Sequence, residues 1–337
     1  MPKLVTMRPA ARSARFALAA SALLMAAAAL SLGRAQQCPI PPPPPPQVPS
    51  GYAIQRDVNL VVLHASVVNA RGQFVPGLRQ ENFRVFEDKI EQKLTLFRQE
   101  DVAVSLGLVI DNSGSMRDKI AQVRTAAVTF IKTSNPQDEA FVVNFNDDFY
   151  LDTVRDFTTD FGELNDALER IDSRGSTALY DAVIGSLDHL RKGHKDKKVL
   201  LVITDGLDNA SRRSLENAVR EAQRSDAVIY AIGVFSDDDL KQNRGQMRRA
   251  RGALTELTTA TGGLAFFPDS AADTEALCTQ IAHDIRNQYT LAYNPTNEVR
   301  DGKFRAVRLD VTSPRGMGKL SVRTRTGYFP RTTSSGN

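Results

Sequence analysis

The chain has 337 residues, 42% hydrophobic and 24% charged, which suits one ordinary domain plus a smaller one in a soluble globular protein. Its formal net charge of +4 is local, because residues 1–35 hold five basic side chains and no acidic one. Without these five, 38 of the 43 basic side chains stand against 39 acidic ones. The composition therefore excludes a basic field for nucleic acid or for an anionic membrane surface.

Residues 1–35 have the order of a secretory signal peptide. Basic residues up to Arg15 precede an apolar run rich in alanine and leucine, from Phe16 to Leu32, and small residues follow it. We expect cleavage after Ala35 and export to the periplasm or the cell surface, with no membrane insertion beyond this segment. An uncleaved membrane anchor is the alternative, although the run is slightly short for a stable span.

Residues 36–56 form a proline-rich linker. Six successive prolines, Pro41 to Pro46, impose the stiff and extended polyproline II conformation. A spacer that holds the following domain away from the cell envelope is the simpler interpretation. A docking site for a proline-binding module is the alternative.

Residues 57–98 alternate apolar and polar residues and predict an N-terminal β module. Strands are expected over 58–68, 83–88 and 93–99, with a turn at Asp88 and Lys89 between the last two. The pattern then changes, because apolar runs alternate with amphipathic stretches over 101–288. This alternation is typical of a doubly wound α/β domain, in which a mainly parallel sheet carries helices on both faces.

The predicted elements of the α/β domain follow in chain order. Strands are expected at 104–110, 140–145, near 149–154, and at 198–204, 227–234 and 263–267. Helices are expected at 116–133 and 177–191, and near 160–170, 214–224, 246–260 and 271–287. The strands are continuous apolar runs, as parallel strands covered on both faces require.

Residues 289–329 return to a β pattern, and 330–337 are expected to be a disordered tail. Three strand candidates, 289–295, 304–311 and 319–329, cannot extend the α/β alternation. We expect them to pack with the strands of 57–98, so that the flanks build one small β-sandwich. The α/β domain would then be an insertion within that sandwich.

Hydroxyl and carboxylate residues collect where the predicted parallel strands end. Asp111, Ser113 and Ser115 follow the first strand, Asp205 follows the strand at 198–204, and Thr177 precedes a helix. Ligands of open parallel sheets bind beyond the carboxyl ends of the strands, so these residues are expected to share one edge. Two carboxylates and three hydroxyls are hard oxygen donors suited to Mg²⁺, with Mn²⁺ or Ca²⁺ as alternatives.

Other interpretations of these loops lack a required residue. A GxSxG nucleophile elbow is absent, and no histidine candidate stands near Ser113. An aspartyl phosphatase needs a second aspartate where Ser113 stands, and a dinucleotide site needs GxGxxG after the first strand. The remaining alternative makes Ser113 and Ser115 helix caps and Asp205 a turn residue.

The motifs DNSGSM, GSTALYDA and TDG resemble the metal-ion-dependent adhesion site of the von Willebrand factor type A domain. The flanking β segments resemble the secreted bacterial VWFA-related group that is well known in acidobacteria, and the resemblance covers roughly 57–329. It implies that Ser113 and Ser115 bind the metal directly. It also implies that Thr177, Asp111 and Asp205 bind the metal directly or through water.

Two carboxylates leave such a cation incompletely neutralised, with one coordination position open to a glutamate or aspartate of a partner. The predicted function is therefore a non-enzymatic, metal-dependent protein-binding module of adhesion type, with no catalytic residue. Two alternatives stay open. One is a metal-assisted hydrolase that uses the same oxygens, although no base candidate stands in the motif loops. The other is a structural scaffold with a vestigial site.

Overall fold

The computed structural model describes residues 60–99, 101–170, 173–236, 241 and 243–330. The expected signal peptide, linker and tail residues 331–337 lie outside the described residues. The strands, numbered in chain order, are β1 Val61–Asn69, β2 Phe83–Glu87, β3 Ile90–Gln92, β4 Leu94–Arg98, β5 Val104–Asp111, β6 Glu139–Phe145, β7 Phe149–Leu151, β8 Lys197–Thr204, β9 Ala227–Gly233, β10 Ala265–Phe266, β11 Tyr289–Tyr293, β12 Arg305–Val311, β13 Leu320–Arg323 and β14 Gly327–Tyr328. The α-helices are α1 Ile120–Thr133, α2 Phe161–Glu169, α3 Leu179–Leu190, α4 Leu215–Arg224, α5 Arg244–Thr261 and α6 Ala271–Asn287.

The α/β domain is built on a six-stranded sheet with the order β10-β9-β8-β5-β6-β7. Neighbouring strands run parallel except β7, which pairs antiparallel with β6 and lies at one edge. All eight residues of β5 are buried, because this strand lies in the interior of the sheet and both its faces are covered. The predicted doubly wound, mainly parallel fold is confirmed.

Helices cover both faces of this sheet. On one face α1, α2 and α6 pack through Phe130, Leu168 and Ile281 against Leu108 and its neighbours. On the other face α3, α4 and α5 pack against residues that include Val109. The alternation of β5 side chains between the two faces is the period of two expected of a strand. Among the described residues, no helix is both long and apolar enough to cross a membrane.

The flanks form a β-sandwich, as the sequence predicted. One sheet has the order β13-β1-β11-β4 and the other β14-β12-β2-β3, and every neighbouring pair is antiparallel. Each sheet mixes strands from before and after the α/β domain. Leu63, Val85, Tyr289 and Leu309 lie in their shared apolar core. The two flanks therefore fold as one module.

The structure differs from the predicted elements in two places within this module. The single strand expected over 319–329 is two strands, β13 and β14, which belong to different sheets. Asp88 and Lys89 form the predicted turn, both with positive φ, but β3 follows it before the chain enters β4. The sequence pattern predicts one strand here, because the alternation of apolar and polar residues does not show with which neighbour each short segment pairs.

The start of α1 also differs from the prediction of a helix from residue 116. Residues Gly114–Lys119 form a 3-10 helix, and the α-helix begins only at Ile120. Ser113 occupies the N-cap position of the 3-10 segment in an extended conformation, and its side chain makes no capping hydrogen bond. The tighter turn keeps the segment that follows Ser113 against the carboxyl edge of the sheet, where the candidate site lies.

Candidate metal site

The first loop of the site begins at the last residue of β5. Asp111 is fully buried, and its Oδ1 accepts the backbone N–H of Ser113 at 2.9 Å. The hydroxyls of Ser113 and Ser115 lie 3.1 Å apart, Ser113 buried and Ser115 exposed. One carboxylate and two hydroxyls are thus presented together at the end of an apolar strand.

The loop that carries Thr177 is attached to this first loop by backbone hydrogen bonds. The N–H of Gly114 donates to the carbonyl of Gly175 at 3.0 Å. Thr177 is buried two residues before α3, and its own N–H donates to Asn209 Oδ1 at 2.8 Å. The second contact connects it to the loop that follows β8. The three predicted loops therefore meet at one edge.

Asp205 follows β8 directly and is almost completely buried. Because β8 pairs with β5, the preceding residue Thr204 lies beside Asp111, and its hydroxyl donates to Asp111 Oδ2 at 2.5 Å. Lys119 Nζ lies 3.5 Å from Asp205 Oδ2. The structure thus brings the predicted carboxylates to neighbouring positions and adds two polar contacts.

Neither of these two added contacts was predicted. A polar residue at the end of an otherwise apolar buried strand is a weak signal that could have identified Thr204. Lys119 gives no such signal, because a basic residue at the start of an amphipathic helix usually lies in solvent. Its burial is a product of the tertiary fold.

The surroundings of Asp111 disfavour the charge of its carboxylate. The pKa of the Asp111 carboxyl is raised to about 7, first by burial and then by the charge of Asp205. Hydrogen bonds from Ser113 and Thr204 oppose the shift. Burial and a like charge both disfavour the ionised form, so a divalent cation beside the pair would remove the penalty.

The donor set fits a hard cation. Among the described residues, no group of three or more His, Cys, Asp or Glu side chains is placed to hold a metal ion, and the candidate site combines two carboxylates with hydroxyls. Mg²⁺ is bound by oxygen ligands such as carboxylates and usually keeps several waters. The residues that would hold the ion are Asp111, Ser113, Ser115, Thr177 and Asp205.

An exposed apolar strand borders the site. Tyr150, in the edge strand β7, accepts a hydrogen bond from Asn112 Nδ2 at 3.2 Å, and Asn112 lies between the first two candidate ligands. Phe149, Tyr150 and Leu151 are all exposed, and Val154 just beyond them is 85% exposed. Successive residues of a strand point to opposite faces, so β7 exposes apolar side chains on both of its faces beside the candidate site.

The fold and the convergent oxygen donors define an α/β domain with a candidate cation site at the carboxyl edge of its sheet. The family model described as von Willebrand factor type A domain matches residues 106–276, which is just over half of the chain. The chain belongs to this family. No curated protein sequence matches it.

Three solved structures illustrate the similarity. A von Willebrand factor type A protein from Catenulispora acidiphila is 12% identical, with a TM-score of 0.48, over 83% of this chain and 76% of that one. BatB from Bacteroides thetaiotaomicron is 17% identical, with a TM-score of 0.43, over 54% and 98% respectively. The vWF domain of the type V pili tip protein Mfa5 from Porphyromonas gingivalis is 14% identical, with a TM-score of 0.45, over 55% and 97%. Such distant similarities do not bear on what this chain binds.

Proposed function

We propose that the chain is an exported, metal-dependent protein-binding module of adhesion type. In this proposal a divalent cation, Mg²⁺ as first choice, completes its coordination with a carboxylate of a protein partner. The observation that carries the proposal is the convergence of three loops, which present two buried carboxylates beside hydroxyls. The protein residues that hold the cation are Asp111, Ser113, Ser115, Thr177 and Asp205.

The ligand count explains why a partner would be needed. Magnesium prefers about six oxygen ligands, and the chain supplies two acidic side chains and three hydroxyls. Water fills the remaining position when the chain is alone. A glutamate or aspartate of the partner can replace that water and form a charge-assisted contact. The exposed strand β7 beside the site adds apolar surface for the rest of the partner.

A metal-assisted hydrolase is less well supported, because the carboxylates around the site already serve the loops. Asp147 accepts the N–H of Ser176, and Asp181 accepts the N–H groups of Arg212 and Arg213. The four histidines lie on β1, at the end of α3, before β8 and on α6, away from these loops. To act as a general base, either of these two carboxylates would have to give up a structural hydrogen bond.

Export is proposed from the sequence of residues 1–35 and from the likeness of the flanks to the secreted bacterial VWFA-related group. Both features concern where the protein acts. The partner is then expected on a cell envelope or an extracellular surface.

The proposal is tested by capture of partners on immobilised mature protein, residues 36–337, from a native envelope fraction. Capture should occur in Mg²⁺, be lost in excess chelator, and return when Mg²⁺ is restored. Asp205→Ala should abolish capture, whereas Asp118→Ala, which removes an exposed carboxylate from the neighbouring segment, should not.

Partners that stay bound in excess chelator would contradict the proposal and favour a scaffold. Chelator-sensitive turnover of hydrolase substrates by wild type and not by Asp205→Ala would favour the enzymatic alternative.

A further inference from the structure

A buried lysine stands inside the candidate metal site. Lys119 is the last residue of the 3-10 helix that begins after Ser113. Its Nζ lies 3.5 Å from Asp205 Oδ2, and the two side chains are only 9% and 2% exposed. Lysine is among the residues least often buried, and a buried one normally has a charged partner. Here the partner is a carboxylate that we assign to the metal.

Lys119 stands at the junction between two helical segments. It is the last residue of the 3-10 helix and, in αR conformation, the N-cap of α1. The junction does not require a buried side chain, and the exposed Arg117 two residues earlier shows that a cation of this segment can face solvent. An ammonium group that is buried needs a partner for its charge, and Asp205 supplies one. The burial of Lys119 against a candidate ligand makes it a candidate for a role in that site.

The charges of the site explain what the ammonium group does. Asp111 and Asp205 are both buried, at the carboxyl ends of the neighbouring strands β5 and β8. Two uncompensated buried carboxylates would destabilise the fold when no metal is bound. An ammonium group beside one of them supplies the missing positive charge without any ligand.

We infer that Lys119 is a tethered cation of the metal site, which neutralises the carboxylate pair in the metal-free protein and competes with the divalent ion for it. The inference rests on the proposed metal assignment. It has two consequences. The protein stays folded without metal, and metal affinity is held low because the ammonium repels the incoming ion. Once the metal is bound, the extra positive charge strengthens the attraction for a partner carboxylate.

The test replaces Lys119 by methionine, which keeps the length of the side chain and removes its charge. The full mature chain is titrated with Mn²⁺ alone by calorimetry, and its melting temperature is measured in chelator and in saturating Mn²⁺. The matched control is Arg117→Met, two residues earlier, where an exposed cation is lost from the same segment. Exposed charges are screened by solvent and salt, so this control should change the Mn²⁺ affinity less than about twofold.

Lys119→Met should bind Mn²⁺ about tenfold more tightly than wild type, since the lost charge stood within a few ångströms of the ion in a poorly screened position. It should also melt at a lower temperature than wild type in chelator, and the difference should shrink or vanish in Mn²⁺. An affinity change no larger than that of Arg117→Met overturns the inference, while Mn²⁺ binding by wild type leaves the proposed function standing. A wild-type protein that binds no Mn²⁺ overturns both.

Lys119→Gln is a second variant without the charge, to be used if Lys119→Met does not fold. Recovery of folded Lys119→Met or Lys119→Gln only in the presence of Mn²⁺ supports the inference, because the ion then replaces the ammonium group. Failure of both variants to fold in saturating Mn²⁺ overturns it.

Discussion

At the scale of single residues, two hydrogen bonds fix one carboxylate of the candidate site. Asp111 receives hydrogen bonds from Ser113 on one oxygen and from Thr204 on the other, which fix its orientation. Ser113 lies in the loop that begins after Asp111, whereas Thr204 ends β8 and reaches Asp111 because β5 and β8 are neighbours. The chain itself therefore holds this carboxylate in place, which would lower the ordering cost of binding a cation.

The first prediction concerns the substitution Asp111→Ala. It should lower the Mn²⁺ affinity by roughly 100-fold or more, because even the outer partners of metal ligands cost 10–100-fold when they are removed. Calorimetric titration with Mn²⁺ measures the effect, and circular dichroism checks the fold. Asp118→Ala is the control and should bind as wild type does. Equal affinity in Asp111→Ala and wild type would remove Asp111 from the ligand set.

At the scale of elements, a buried polar cluster joins the two sheets of the β-sandwich. Glu87 on β2 accepts hydrogen bonds from Arg305 on β12 at 3.1 Å, from Tyr293 on β11 at 2.8 Å and from Tyr328 on β14 at 2.9 Å. Arg305 also donates to the backbone carbonyls of Asn297 and Val299. The cluster thus connects one strand of the N-terminal flank to three strands of the C-terminal flank.

The second prediction follows from this cluster. Arg305→Leu should lower the free energy of unfolding by about 3–5 kcal/mol, because removing one partner of a buried ion pair leaves the other charge uncompensated. Arg308→Leu on the same strand is the control, since Arg308 is exposed, and it should change the stability by less than about 1 kcal/mol. Urea denaturation measures both variants. Equal stabilities would show that Glu87 is compensated without Arg305.

At the scale of the whole molecule, specific polar contacts join the β-sandwich to the α/β domain. Arg325 caps the C-terminal end of α4 by donating to the carbonyls of Gln223 at 2.6 Å and Ser225 at 3.1 Å. Gln288 donates to both Ser66 and Tyr230, which lie on strands of the two modules. The insertion is therefore fastened at its amino edge, opposite the candidate metal site.

The third prediction concerns His64, which lies on β1 near this junction. Its pKa is lowered to about 3, first by burial and then by the charges of Lys197 and Arg325. The unfolded chain takes up a proton near pH 6.5 that the folded chain does not bind. Stability should therefore be lost as the pH falls from 6.5 towards 3, by roughly 1.4 kcal/mol per pH unit from this group.

Urea denaturation of wild type and His64→Gln at pH 7.5, 6.5 and 5.5 measures this effect. Below pH 6.5 the free energy of unfolding should fall less in the variant than in wild type. Above pH 6.5 the two curves of unfolding free energy against pH should run parallel. Parallel curves over the whole range would show that His64 becomes protonated without unfolding.

Much of the architecture could be predicted because the spacing of apolar residues along the chain indicates where helices and strands form. The burial of all of β5 and the alternation of 101–288 follow from runs of apolar residues, and the structure has helices and strands close to those expected. The division of 319–329 into β13 and β14 could not be predicted. A strand's partner is chosen by long-range pairing, and both halves of this segment have the same apolar character.

The sequence by itself determined which donor atoms the candidate site can offer, because the residue types in DNSGSM, GSTALYDA and TDG supply carboxylate and hydroxyl oxygens at strand ends whatever their exact placement. Only the tertiary structure decided which groups surround those donors. Thr204 reaches Asp111 across two adjacent strands, and Lys119 reaches Asp205 from 86 positions away in the chain. Such contacts depend on the order of strands in the sheet and on which side chains the fold buries. No local pattern encodes either property, so the ammonium group in the site became visible only in the folded chain.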